Sequence, residues 1–339
     1  MLIPVLLLAV GFVLLIKGGD WFVDGASGIA RRFRLPEILI GATVVSIGTT
    51  LPEVMVSAGA AFQGSGSIAY GNAIGSIICN TSLIAALTIA IKPSAAARKS
   101  LIMPVAFFFG AAAFYCVCSY VFGTFTRITG IVLLAAFVVY MISTVIRMKN
   151  SNSELEGKET EEAMEKASGE DFVVESEKDG TKDSLLKDIV LLVLGAAVIA
   201  VGADLLVDNA ILIAQNFGVS EKVIGLTIVA LGTSLPEFIT AITALIKGHS
   251  SLSLGNIIGA NLFNLVLVSG VAITISPFEL PVSGLIGGIN SSLVIDIPVM
   301  LAVMLILTVP TLIKQKLSRW QGIVMLGIYA GFCILQFAI

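Results

Sequence analysis

Two glutamates that directly follow a proline lie inside apolar stretches of the sequence and could bind a metal ion. Glu53 occurs in GTTLPEVMVS, and Glu237 occurs in the closely similar stretch GTSLPEFITA. A carboxylate inside a membrane-buried helix is energetically costly and is usually functional. Proline lacks an N–H group, so the carbonyl four residues earlier loses its helical partner and becomes available as a ligand. Carboxylate and carbonyl oxygens suit Ca²⁺ and Na⁺, so both stretches predict a cation site.

Hydroxyl and amide side chains accompany each glutamate. Thr49 and Thr50 closely precede Glu53 and share its helix face. One short loop later, Asn72, Ser76 and Asn80, spaced by four, form a polar stripe in the first copy. Asn256 and Asn264 mirror it in the second copy, where Ala260 takes the position of Ser76. The candidate ligands are Glu53, Thr49, Thr50, Ser76 and Asn80 in the first copy and Glu237, Thr233, Ser234 and Asn264 in the second.

The two stretches belong to an internal duplication. Residues 18–83 align without gaps with residues 202–267. Chance similarity between apolar helices would match Leu, Ile and Val, whereas here Asp20 and Asp24 also align with Asp204 and Asp208. A repeat of this length indicates that two copies of one structural unit form the protein.

Composition and hydropathy indicate the elements that must position these residues. Apolar residues make up 57% of the chain and charged residues 13%, a balance typical of membrane proteins. Ten apolar segments are long enough to cross about 30 Å of hydrocarbon. They run approximately over 2–24, 37–61, 68–91, 101–122, 127–146, 186–209, 222–246, 252–274, 287–310 and 320–338. We therefore predict an all-α polytopic membrane protein with ten transmembrane helices.

The odd number of helices in each half determines how the halves relate. Five helices per half make the second half enter the membrane from the opposite side, so the halves form two inverted five-helix repeats. The predicted first repeat spans 1–146 and contains the motif region 41–83, and the second spans 186–339 and contains the motif region 225–267. A charged linker over 147–185 joins them.

Basic residues in the short loops predict the orientation. Most of them fall on one predicted side, whereas the loops of the other side carry little beyond Arg127 and Lys222. The positive-inside rule assigns the more basic side to the cytoplasm, together with the linker. Both termini are then extracellular, in a multi-pass protein that we expect in the plasma membrane as a functional monomer. We expect no nucleic-acid partner, because no basic patch occurs. The basic residues are Arg31, Arg32, Arg34, Lys92, Arg98, Lys99, Lys247, Lys314, Lys316 and Arg319.

Charge counting favours an exchanger. Inverted symmetry brings Glu53 and Glu237 towards each other near the membrane midplane. One Ca²⁺ neutralises two carboxylates, and without it the site would be unstable unless other cations or protons enter. This favours an antiporter over a uniporter. Our first hypothesis is Ca²⁺/Na⁺ antiport by alternating access, with proton-coupled Ca²⁺ exchange and a passive cation channel as alternatives. The sequence contains neither an HExxH motif nor a plausible Ser/His pair, so no enzyme activity is predicted. No cofactor is predicted either.

Other acidic residues have separate interpretations. We interpret Asp20, Asp24, Asp204 and Asp208 as interfacial residues that cap a helix or line a vestibule, because they lie near predicted helix ends. Asp296 is predicted to be the N-terminal cap of the ninth helix.

The paired motifs resemble those of a known family. GTTLPE and GTSLPE, together with GNAIGSIICN and GNIIGANLFN, are similar to the alpha repeats of the cation/calcium antiporter superfamily, sodium/calcium exchanger type. The resemblance covers the whole chain and implies Ca²⁺ and Na⁺ as transported ions, with helices one and six sliding against the other eight. It also implies backbone carbonyl ligands at Ser46 and Ala230 for sodium. Some members carry Asp at the position of Asn264, so the sodium stoichiometry and coupling to K⁺ stay open.

Overall fold

Ten helices form the part of the chain that the structure describes. The computed structural model describes residues 2–33, 35–167, 181–217, 232, 234–282 and 284–338. Eight of the helices are long and apolar enough to cross a membrane, which agrees with a polytopic helical fold. The helices are α1 (Leu2–Arg32), α2 (Glu37–Phe62), α3 (Gly66–Ile91), α4 (Arg98–Phe122), α5 (Arg127–Ala167), α6 (Thr181–Asn216), α7 (Leu235–Ile246), α8 (Ser250–Ile275), α9 (Ser292–Lys314) and α10 (Arg319–Ala338).

Several helices differ in extent from the apolar segments that predicted them. Helices α5 and α6 both extend into the predicted linker, because α5 continues to Ala167 and α6 begins at Thr181. Residues 168–180 lie outside the described residues, as do 218–231, which include the first part of the predicted seventh segment. Hydropathy alone does not detect a helix that continues with charged residues after its apolar stretch ends.

The ninth helix begins later than predicted, because a short hairpin precedes it. Strands β3 (Leu285–Ile286) and β4 (Ile289–Asn290) pair antiparallel. Asp296 has helical dihedral angles (φ −61°, ψ −54°) and makes no capping hydrogen bond. The cap prediction is therefore wrong, because a π-helical turn from Ser292 already starts the helix. The carboxylate of Asp296 instead accepts a hydrogen bond from Nε2 of Gln336 at 2.7 Å.

The links after α1, α3, α7 and α9 meet at one end of the bundle, which we call the basic end. Ala95 and Lys316 form a bridge between the links after α3 and α9. His249, after α7, contacts Glu37 at the start of α2, with 2.6 Å between Nδ1 and Oε1. Lys92, Lys247 and Lys316 lie in these links, and the other described basic residues of the orientation prediction lie at the helix ends beside them.

The links after α4 and α8 meet at the opposite end. Strands β1 (Thr124–Phe125) and β2 (Phe278–Glu279) pair antiparallel across these two links. The hydroxyl of Tyr120 also donates a hydrogen bond to the carbonyl of Leu293 at 2.6 Å. Links from the two halves therefore join at each end, as two interleaved inverted repeats require.

The helices form a buried centre and a peripheral pair. In the most apolar windows of α3 and α8, 72% and 83% of residues are buried, against 22% and 28% in α1 and α6. Helices α1 and α6 pack tightly along each other. A Cβ atom at Gly11 would lie 2.9 Å from the carbonyl oxygen of Gly202, and one at Gly25 would lie 2.5 Å from that of Asp188. Glycine is therefore needed for this close backbone contact.

Candidate functional site

The two motif glutamates are both fully buried. Glu53 on α2 and Glu237 on α7 each expose 0% of their surface. Within the described part of the chain, no oxygen of either carboxylate has a hydrogen-bond partner. The two carboxylates lie within electrostatic range of each other. Two neighbouring buried acids with no counter-charge among the described residues fit a site that binds a cation from solution.

Other polar groups of the predicted site are also buried without partners. These atoms are the hydroxyls of Thr50 and Ser234 and both amide atoms of Asn80 and Asn264, none of which has a hydrogen-bond partner among the described residues. Buried polar atoms without partners are rare, and a bound ion is one explanation for them. Their hydroxyl and amide oxygens match the donor set that Ca²⁺ and Na⁺ prefer.

A π-helical turn begins at each of the two asparagines. The turns span Asn80–Ala85 in α3 and Asn264–Val268 in α8. The turn of α3 packs against α7, which carries Glu237, and the turn of α8 packs against α2, which carries Glu53. Each asparagine thus lies at a contact between the two repeats. Because π turns are rare and frequently occur at functional sites, the matching pair supports an ion site at this level.

The remaining asparagines of the predicted stripes brace the backbone next to the acids. Asn72 donates to the backbone carbonyl of Glu53 at 3.1 Å and to the hydroxyl of Ser57 at 2.8 Å. Asn256 accepts a hydrogen bond from Thr49 at its side-chain oxygen, at 3.2 Å. Both residues therefore hold α2 in position.

Two other predicted ligands lie in buried positions near the acids. Ser76 exposes 4% of its surface and lies one helical turn before Asn80. The hydroxyl of Ser46 donates to the carbonyls of Gly41 at 2.7 Å and Asn256 at 2.9 Å. Its own carbonyl, the group that the resemblance assigns to sodium, accepts a hydrogen bond from the hydroxyl of Thr49 at 3.5 Å. Two other predicted ligands, Thr233 and Ala230, lie outside the described residues.

Two buried polar residues near the site were missed by the sequence reasoning. Thr240 lies one turn after Glu237, and its buried hydroxyl has no partner among the described residues. Asn261 donates to the hydroxyl of Thr81 at 2.7 Å and so links α8 to α3. The aligned positions in the first copy are Val56 and Ile77. Because neither polar residue is repeated, the duplication does not mark them as candidates.

A cavity of about 660 Å³ lies between α6 and α2 and reaches both motifs. Pro52 and Pro236, which precede the two glutamates, both line it. Asp204 and Asp208 on α6 also line it. The predicted vestibule role of these two acids is consistent with this position. The cavity therefore lies next to the helix turns that the two prolines interrupt.

Comparison with known proteins identifies similar chains over almost the full length. A family model described as sodium/calcium exchanger protein matches residues 3–145 and 187–338. The chain is 32% identical to sodium/calcium exchanger MaX1 of Methanosarcina acetivorans, with 98% of each chain covered. It is 35% identical to the putative antiporter CaxA of Alkalimonas amylolytica, with 100% of each chain covered.

A solved structure shares the fold. It is the sodium-calcium exchanger NCX_Mj soaked with 2.5 mM Na⁺ and 0.1 mM Ca²⁺, which matches this chain with a TM-score of 0.75 and 32% sequence identity. The match covers 97% of each chain. The similarity therefore extends over both repeats and the helices that carry both glutamates.

Proposed function

This chain belongs to the sodium/calcium exchanger family, and from that premise we propose that it exchanges Ca²⁺ for Na⁺ across a membrane by alternating access. The observation that carries the proposal is the pair of fully buried carboxylates, Glu53 and Glu237, on helices from opposite repeats. One Ca²⁺ or several Na⁺ neutralise this pair in turn. Because the vacant pair is unstable, the site changes sides while occupied, and that requirement couples the two ion movements.

The ion site consists of the residues around the two acids. Hydroxyls, amides and interrupted backbone carbonyls complete the oxygen shell that the carboxylates begin. At Thr50, Ser234, Asn80 and Asn264, buried polar atoms have no hydrogen-bond partner in the described part of the chain, which supports this assignment. The full proposed set is Glu53, Glu237, Thr49, Thr50, Thr233, Ser234, Ser76, Asn80 and Asn264, with the carbonyls of Ser46 and Ala230.

The protein acts as a transporter with no covalent step, and its basic end faces the cytoplasm. The positive-inside rule supports this orientation, which places both termini towards the outside of the plasma membrane. A single chain contains both repeats and both acids, so a monomer suffices for exchange.

The test is sodium-driven calcium uptake into liposomes that contain the purified protein. With Na⁺ inside and ⁴⁵Ca²⁺ outside, the wild type takes up calcium, and Glu53→Gln or Glu237→Gln abolishes uptake. Glu37→Gln is the matched control, because Glu37 contacts His249 at the basic end and lies outside the proposed site. Full uptake by either site variant would contradict the proposal.

Two further measurements separate loss of binding from misfolding and sodium from proton coupling. Removal of one buried carboxylate relieves repulsion in the cation-free site, so Glu53→Gln unfolds at a temperature no lower than the wild type when both are free of Ca²⁺ and Na⁺. A pH gradient without Na⁺ drives no calcium uptake. Uptake under that gradient alone would assign the protein to proton-coupled exchange.

A further inference from the structure

Two interfaces that correspond in the two repeats differ in how closely they are packed. In the first, α1 lies against α7, and a Cβ atom at Gly19 would be 2.8 Å from Ile239 and 2.9 Å from Thr243. In the second, α6 faces α2 across the cavity of about 660 Å³. The structure is therefore closed between α1 and α7, near the basic end, and open between α6 and α2.

A lysine ties the closed interface together. Lys247 directly follows α7, and its Nζ atom lies 2.8 Å from Oδ1 of Asp24 and 3.3 Å from Oδ1 of Asp20 on α1. The same atom donates a hydrogen bond to the backbone carbonyl of Asp20 at 3.0 Å. We call these three residues the Lys247 clamp. It joins the peripheral helix pair to the central helices at the basic end.

The corresponding group at the open interface has the acids but no cation. Asp204 and Asp208 align with Asp20 and Asp24, whereas Gln63 aligns with Lys247. Asp204, Asp208 and Gln63 are all exposed. Among the residues that the structure describes, neither aspartate forms an ion pair. The acids were thus duplicated, and only one copy carries the lysine that neutralises them.

Inverted repeats explain why this difference affects transport. The second state of such a protein arises when one bundle rocks against the other around the fixed site, so that the closed and open interfaces exchange roles. A contact that exists only in one state shifts the equilibrium towards that state by its own free energy. The clamp forms only while α1 lies against α7. At the other interface, Gln63 is uncharged and cannot form an equivalent ion pair with Asp204 and Asp208.

We propose that Lys247 is a positioning residue that holds the basic end closed and so biases the exchanger towards the state open at the opposite end. The proposal rests on the function proposed above, because the bias matters only if the protein alternates between two states. A partly exposed ion pair changes an equilibrium constant by about two- to fivefold. Loss of the clamp is therefore expected to raise the ratio of the basic-end-open state to the opposite state by about that factor.

The test measures the distance across the cavity by pulsed electron resonance between two spin labels. Labels on exposed Ile68, near the start of α3, and on exposed Phe217, directly after α6, report how far α6 lies from the central helices at that end. The four native cysteines, Cys79, Cys116, Cys118 and Cys333, are first replaced by alanine. Wild type, Lys247→Gln, Lys247→Arg and Gln63→Lys are compared in lipid nanodiscs in one sodium buffer.

The variants have opposite expected signs. Lys247→Gln increases the short-distance population about two- to fivefold, and Lys247→Arg keeps the wild-type distribution because it retains the charge. Gln63→Lys also increases the short-distance population, because it supplies the missing cation to Asp204 and Asp208 in the state closed at that end. Gln63→Lys should have this effect even though the Lys247 clamp is intact. The double variant Lys247→Gln, Gln63→Lys should show the largest increase in the short-distance population.

Calcium affinity then separates the clamp from a general structural role. In Lys247→Gln the KM for Ca²⁺ rises at the face opposite the basic end and falls at the basic face, whereas damage to the fold would lower uptake from both faces. An unchanged distance distribution in Lys247→Gln overturns the clamp, and an unchanged distribution in Gln63→Lys overturns the asserted asymmetry. Absence of sodium-driven uptake in the wild type would instead refute the proposed function, since the distance measurement requires no transport.

Discussion

The close contact between α8 and α2 leads to a prediction about Gly255. A Cβ atom at Gly255 would overlap the carbonyl oxygen of Ile38 and would lie 2.9 Å from both its carbonyl carbon and its Cα atom. Carbon atoms in ordinary contact lie about 3.5–4.0 Å apart, so Gly255→Ala must separate the two helices by about 0.6–1 Å. Backbone atoms cannot move aside as the end of a flexible side chain can.

The expected loss of stability follows from this overlap. Overpacking of a well-packed interior typically destabilises by about 1–3 kcal/mol. For a chain of this size, that loss lowers the unfolding temperature by about 1–4 °C. The hydrogen bond between Ser46 and Asn256 crosses the same helix contact at 2.9 Å. Its weakening by about 0.5–1.5 kcal/mol is expected to raise the KM for Ca²⁺ by about two- to tenfold.

The repeat supplies a matched control. Gly71 aligns with Gly255 in the duplication, and a Cβ atom there would meet nothing within 4 Å. Gly71→Ala is therefore expected to change stability by less than about 0.5 kcal/mol. Thermal unfolding followed by tryptophan fluorescence in detergent, together with sodium-driven ⁴⁵Ca²⁺ uptake, measures both effects. Equal unfolding temperatures for the two variants would refute the packing argument.

Three further outcomes follow from the site. Asn72→Leu removes hydrogen bonds to Glu53 and Ser57 and should lower the free energy of unfolding by about 1–3 kcal/mol. It should also raise the KM for Ca²⁺ in the uptake assay, and an unchanged KM would show that Asn72 does not position the acid. Asn261→Leu removes the bond to Thr81 and should lower the unfolding temperature, whereas an unchanged value would indicate that packing compensates. Ca²⁺ at 100 times its Kd should stabilise the wild type by about 2.7 kcal/mol, an effect that chelation reverses and that Glu53→Gln should lack.

Much of the fold was predictable because a membrane simplifies the relation between sequence and structure. Backbone polar groups must be satisfied within each spanning segment, so apolar runs become helices. The prediction of ten helices is confirmed for the described residues. Hydropathy was less reliable at helix ends: the ninth helix begins at Ser292, after a hairpin, and Asp296 lies inside helical structure. The position of a helix end depends on turn geometry and on charged extensions, which hydropathy does not measure.

The ion site was partly predictable for a different reason. Glu53 and Glu237 could be identified because each is an unusual residue in an apolar helix and because the duplication repeats it. The braces formed by Asn72 and Asn256 could not be identified in this way, since a polar residue in a stripe can face either an ion or a neighbouring helix. Thr240 could not be identified from the duplication, because it has no polar counterpart in the other copy.

By itself, the sequence determined the membrane-spanning class of the protein, the duplication and the two acids, because each is recorded in residue types and their spacing along the chain. Only the tertiary structure decided that the π turns at Asn80 and Asn264 each pack against the helix that carries the other repeat's glutamate. It also decided that α1 is closed against α7 while a cavity separates α6 from α2. The physical reason is that these features depend on contacts between residues far apart in the chain. Two nearly identical motifs can therefore occupy different environments within one state of the protein.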